Sequence, residues 1–180
     1  FNKLILFKAT LFATKIITAS ENSFPLKNKK VAPIGHAIDY KTFYKKIDSF
    51  CKKDFAIVSR ISKSKNIEES IKGFLNSNAS ISSSILIIGG PLTNQDRNYY
   101  DYLLNKYKNN KNVSFIGPVP HSELVNYLQK VSFHINNTDK GFYDKSVLET
   151  SASGIINFYK NIDYDKNIPF EYKEMLKFDG

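Results

Sequence analysis

Cysteine is all but missing from this chain. Cys51 stands alone among 180 residues, which excludes an internal disulfide and fits a reducing compartment. Flanked by Phe50 and Lys52, with no histidine at a useful spacing, its thiol is expected to be inert. Histidine is scarce as well. His36, His121 and His134 show no metal-ligand spacing, so no zinc or iron site is expected. Long apolar runs are lacking: residues 4–17 are apolar but interrupted by Lys8 and Lys15. That stretch is too short and too charged to span a bilayer, and it does not read as a secretory signal. Arginine is rare. Only Arg60 and Arg97 stand among the 26 basic residues, and the rest are lysines. Abundant lysine with abundant asparagine is what AT-rich codon usage produces. No lysine run interleaves with aromatics for base stacking. The net charge of +9 is therefore not read as a nucleic-acid signal.

What is present is the material of one globular domain. Apolar residues make up 42% and aromatics 14%, and a chain of this length buries a real core. Leu4, Phe7, Leu11 and Phe12 share one helical face, and 15–20 reads as a short buried strand. Strand-like and helix-like runs then alternate. Strands are expected at 31–34, 55–58, 85–88, 113–116 and 131–135, with another after Gly154; helices at 40–51, 66–75, 96–108 and 122–129, with Ser122 as the last one's N-cap. Residues 77–84 read as a loop, and 23–30 as the one candidate linker; no internal repeat is evident. Short unalternating strands separated by helices imply an α/β fold, a doubly wound Rossmann-like parallel sheet with helices on both faces. Ligands bind such sheets beyond the C-terminal strand ends. The segments to watch are therefore 35–39, 59–65, 89–93, 117–120 and 136–146.

The last of these segments is the most informative. It follows an apolar run and opens a helix, where unpaired N–H groups and a partial positive charge favour phosphate. Gly141, Asp144, Lys145, Leu148 and Glu149 fall on the pattern Gly-x-x-Asp-Lys-x-x-Leu-Glu. This resembles the donor-binding loop of the retaining nucleotide-sugar glycosyltransferases of GT-B fold, family 4, in a bacterial subset. Other segments agree in order. Arg60 follows a strand and Lys65 stands at the mouth of a helix, like the family's strand-Arg-x-x-x-x-Lys-helix. Gly35, Asp39 and Phe43 resemble the family's entry into the donor domain. His36 there also reads as a loop histidine bonded to backbone. Val113, Phe115, Gly117 and Val119 resemble a segment whose main chain bonds the nucleotide base. Where the family usually carries a first loop glutamate this chain has Gly141, so that sugar contact is absent. Asp139 and Asp144 are the nearest carboxylates.

The resemblance covers residues 31–157. It implies a retaining hexosyltransferase that moves sugar from a nucleotide-diphosphate donor to an envelope or lipid-linked acceptor, without cofactor or metal. Arg60 and Lys65 would neutralise the diphosphate leaving group and are the catalytic candidates. Gly35, Gly89, Gly117, Val119, Gly141, Lys145, Ser146, Val147 and Glu149 would bind the donor, Glu149 through the ribose hydroxyls. Residues 1–24 would be a remnant of an N-terminal acceptor domain or an interdomain segment, and 25–180 a donor-binding domain truncated at its C-terminus. Such a fragment would be inactive alone. The enzyme would be cytoplasmic, its basic surface touching anionic lipid at the inner membrane face, and nucleic acid is not an expected partner. Residue by residue, simpler readings stand beside these. Arg60 and Lys65 are also solvated loop charges, Glu149 a helix-surface carboxylate paired with Lys145, and His121 and Glu123 surface or cap residues. A non-catalytic α/β nucleotide-binding module and a GT-B nucleotide-sugar epimerase remain open. The discriminating observation is whether Arg60, Lys65 and Glu149 face one cleft.

Overall fold

A computed structural model describes residues 3–44, 54–167 and 176. Five short strands form its centre: β3 (Phe55–Val58), β4 (Ile85–Ile88), β5 (Val113–Gly117), β6 (Phe133–Asn136) and β7 (Ile156–Tyr159). All neighbouring pairs are parallel, in the order β5-β4-β3-β6-β7. Counting β3 as the first strand, this is 3-2-1-4-5, the doubly wound order whose direction reverses beside the first strand. Successive side chains on a strand point to opposite faces. Ile57, Ile85 and Ile87 thus pack with Ile67, Ile71 and Phe74 of α3 (Ile67–Asn76) and Leu103 and Tyr107 of α4 (Asn94–Tyr107). Ala56, Val58 and Ile88 pack on the other face with Phe43 of α2 (Tyr40–Phe43) and Leu124 and Leu128 of α5 (His121–Leu128). Burial from both sides is why these strands read as continuous apolar runs.

Local chemistry sets the element ends. Thr93 and Asp96 form a reciprocal capping box, so α4 starts at Asn94, ahead of the expected start at Asp96. The helix expected from 122 begins instead at His121, with Pro120 as its N-cap and the Glu123 amide donating to the Pro120 carbonyl at 2.9 Å. Ser122 is therefore inside the first turn and caps nothing. The register of β4 with β5 slips after Ile87, placing Ile88 opposite Gly117. This bulge gives Gly117 a φ of 82° and turns the chain toward the sheet's C-terminal edge.

One expectation needs correction. The strand expected at 15–20 is β1 (Ile16–Thr18), and it is not buried: Ile17 is 66% exposed. Among the described residues it pairs with β2 (Val31–Pro33), in a separate parallel two-stranded sheet, and Ile17 faces outward between the half-buried Ile16 and Thr18. The apolar face of α1 (Lys3–Phe12) is also exposed, through Leu4, Phe7, Leu11 and Phe12. Of the helix expected over 40–51, α2 covers 40–43 with Tyr44 as its C-cap, and 45–51, Cys51 included, lie outside the described residues. No helix among the described residues is long and apolar enough to cross a membrane.

Candidate functional site

The loops after β3, β4 and β5 and the start of α6 (Lys145–Ala152) enclose a cleft of about 640 Å³ at the sheet's C-terminal edge. It lies where the strand order reverses, between β3 and β6. Backbone bonds tie its floor together. The Ser59 amide donates to Ile88 at 3.1 Å, Ile61 to Gly90 at 2.9 Å, and Gly89 to Gly117 at 2.9 Å. The approach of the first two loops demands glycine at 89. Its φ is 139°, and a Cβ would lie 1.8 Å from the Ser59 carbonyl oxygen.

Arg60, Lys65, Gly89, Val119, Lys145, Ser146 and Glu149 all line this cleft. Arg60 is exposed, and no carboxylate among the described residues pairs with it. Lys65 is buried and forms an ion pair with Asp144. Asp144 also accepts from Asn136 Nδ2 at 3.0 Å, and its amide lies 2.6 Å from the Tyr164 hydroxyl. Burial pushes the Tyr164 phenol well above its ordinary range, so that hydroxyl stays neutral. Asp144 is the N-cap of α6, a position where a carboxylate ordinarily accepts from the first-turn amides. Here it makes no side-chain cap bond, and the first turn holds no acidic residue. The α6 N-terminus is left open toward the cleft, next to Lys145 and Ser146.

Glu149 is only 4% exposed although it lies on a surface helix. Lys145 Nζ stands 3.4 Å from its Oε1, the helical pair expected from the spacing. His121 Nε2 stands 2.8 Å from the same oxygen. His121 is exposed, as expected from the sequence, but its contact with Glu149 was not foreseen: the segment to watch stopped at Pro120, one position short. Asp144 was noted as a motif position, but nothing in the sequence showed that it would hold Lys65.

Other candidates lie elsewhere. Gly35 lines a separate cleft of about 530 Å³, with Tyr143 and Asp163. His36 Nε2 lies 3.0 Å from the Tyr143 carbonyl oxygen, matching the loop reading. Gly117 is buried under the β5 bulge and accepts from Gly89. Val147 faces the core with Tyr159 and Tyr164. Gly141 packs against Asn22, and its amide donates to Asp163 at 2.9 Å. Asp139 pairs with Lys160 and does not line the cleft. No group of three His, Cys, Asp or Glu residues placed to hold a metal occurs among the described residues.

The family described as Glycosyl transferases group 1 matches residues 42–137, more than half of the chain. This chain belongs to that family. The match covers β3 to β6 and both cleft cations of the loop after β3, and it ends before α6. Solved structures share the fold. Anabaena Alr3699/HepE in complex with UDP and glucose is 12% identical, covers 85% of this chain and 46% of its own, and has a TM-score of 0.70. Sucrose-phosphate synthase (tll1590) of Thermosynechococcus elongatus is 19% identical over 87% of this chain and 43% of its own, with a TM-score of 0.71. The C-terminal domain of the group 1 family protein LpcC of Francisella tularensis is 20% identical over 74% of this chain and 75% of its own, with a TM-score of 0.60. The chain thus spans less than half the length of the first two. No curated protein matches it.

Proposed function

We propose that this group 1 family chain is the donor-binding half of a glycosyltransferase that uses a nucleotide-diphosphate sugar. The observation that carries the reading is convergence. Arg60, Lys65, Lys145 and Glu149 line one cleft together with an uncapped helix start, at the switch point of a doubly wound sheet. As the sugar leaves, negative charge grows on the diphosphate. Arg60 forms a planar two-point contact with it, Lys65 and Lys145 act as point charges, and the α6 amides donate. Charge neutralisation is assigned to these groups, and the proposed reaction needs no metal. Glu149 accepts from the ribose hydroxyls. Val119 presents backbone to the base, and retention of configuration belongs to the same reading.

The acceptor is proposed to be an envelope or lipid-linked glycan, met at the cytoplasmic face of a membrane. The net charge of +9 supports contact with anionic lipid. The exposed apolar face of α1 supports a further protein contact there, as expected if 1–24 adjoin an acceptor domain. By itself the chain is proposed to bind nucleotide without transferring sugar, since it spans 46% of the Anabaena neighbour. Isothermal titration with UDP and GDP tests the reading. Saturable heat below millimolar ligand is expected from one of them, and silence from both would count decisively against it. An epimerase would instead interconvert the sugar of the bound nucleotide-sugar, which chromatography of the incubated donor would reveal.

A further inference from the structure

The geometry points to His121 as a positioning residue that sets the Glu149 carboxylate for ribose; this rests on the ribose role proposed for Glu149. His121 opens α5, at the end of the turn that follows the β5 bulge. Its Nε2 lies 2.8 Å from Glu149 Oε1. A carboxylate only accepts, so Nε2 carries the hydrogen, whether the ring is neutral or charged. The ring is itself held. Its centroid is 5.1 Å from that of Phe43, edge to face, and Phe43 is fully buried on α2.

The consequence lies in how the carboxylate is used. Lys145 reaches the same oxygen as His121, at 3.4 Å. Oε2 has no hydrogen-bond partner among the described residues. A hydrogen bond from α5 and an ion pair within α6 therefore both engage Oε1 and leave Oε2 for the cleft that all three residues line. A lysine on a flexible stem one helical turn away is a loose tether. The histidine, half exposed but with its ring against the buried Phe43, is the shorter tether, and it couples the loop after β5 to α6. A ribose hydroxyl donating to Oε2 meets an acceptor already oriented, which lowers the ordering cost of binding.

The test separates ribose from phosphate. UDP and GDP are titrated against their 2′,3′-dideoxy forms, which keep base and diphosphate and lack both hydroxyls. Five proteins are compared: the unaltered chain, Glu149→Gln, His121→Phe, His121→Gln and the double variant His121→Phe/Glu149→Gln. Phenylalanine keeps the ring packing on Phe43 and removes the donor; glutamine restores a donor near the Nε2 position. His121→Phe is expected to weaken the ribonucleotide about five- to tenfold, less than loss of the ribose contact itself because Glu149 and Lys145 remain, and to leave the dideoxy affinity within about twofold. His121→Gln should recover most of the loss. Combining His121→Phe with Glu149→Gln should cost no more than Glu149→Gln alone, because both act on one contact. Equal weakening of both ligand forms by His121→Phe would overturn the inference. So would an unchanged preference for the ribonucleotide in that variant while Glu149→Gln loses it; the ribose role of Glu149 would then stand without His121. An unaltered chain that binds but does not discriminate ribose removes the role of Glu149 and the inference together. One that binds no nucleotide removes the donor-site reading as well.

Discussion

At the residue scale the two arginines make an internal comparison. Arg60 lines the cleft, whereas Arg97 lies exposed in α4, outside it. Arg60→Ala should weaken nucleotide binding by roughly 1.5–3 kcal/mol, the cost of a charge-assisted contact; Arg97→Ala should leave it unchanged. Equal effects on titration would remove Arg60 from the site. Gly141 answers a different question. Replacing it with glutamate would supply the family's usual first loop carboxylate, but its φ is 94° and a Cβ would sit 2.8 Å from the Asn22 carbonyl oxygen. A left-handed non-glycine residue costs on the order of 1–3 kcal/mol, and Asn22 must also move. Gly141→Glu should therefore lower the melting temperature, read by circular dichroism, before any change in sugar preference is seen. An unchanged melting temperature would show that the loop re-forms around the side chain.

At the element scale α6 is fastened to the sheet through buried polar groups. Thr150 Oγ1 donates to Asn157 Oδ1 at 2.8 Å, and His134 Nδ1 lies 2.6 Å from the same oxygen. The Asn157 amide nitrogen donates to Ser151 Oγ and to the Ile155 carbonyl, which sets the amide's orientation and puts the hydrogen of His134 on Nδ1. The ring is fully enclosed in β6, and burial pushes its pKa down from 6.5 to about 4, against the Asn157 bond and the charge of Asp144, which raise it. The unfolded chain takes up this proton first. Stability from His134 is complete above about pH 6.5 and is lost as pH falls toward about 4, an amount on the order of 3 kcal/mol. Urea unfolding at a series of pH values should show this loss, and His134→Gln should flatten it. A slope that persists in the variant would assign the acid sensitivity elsewhere. On the other face, Glu68 of α3 accepts from Lys106 and Tyr102 of α4 and pairs with Lys72, and these partners hold its carboxyl down at about 2. Most of the pairing remains through mild acid, so α3 and α4 should stay docked while the His134 contribution fades.

At the scale of the whole molecule the charge is the dominant fact. With a net +9 and lysines at the cleft, nucleotide affinity should fall as salt is raised through the range in which the Debye length drops from about 10 Å to 3 Å. Titration at two salt concentrations checks this, and an affinity indifferent to salt would mean that the diphosphate does not meet the cationic groups. Co-sedimentation with vesicles tests the membrane contact. Binding to anionic vesicles at low salt, none to neutral ones, and loss at high salt are expected; equal binding to both would point to the apolar face of α1 instead.

The runs Phe55–Val58 and Ile85–Ile88 are legible because the information is local: four apolar residues in a row with turn chemistry behind them read as a doubly covered strand. The same holds for the apolar stripe of α3 and for a loop-to-helix start near Lys145. Placement beyond the strand ends follows from the alternation of elements, so Arg60, Lys65 and Glu149 were legible as neighbours of one edge. Tertiary structure decided everything that depends on partners distant in sequence. Lys65 meets Asp144 across 79 positions and His121 meets Glu149 across 28, and neither pair leaves a periodic trace in the chain. Gly141 reads as an open loop glycine until the backbone of Asn22 is set against it. The exposure of β1 was hidden for the same reason. A run with two adjacent isoleucines looks buried from its own composition, and whether it is covered depends on how the rest of the fold packs around it.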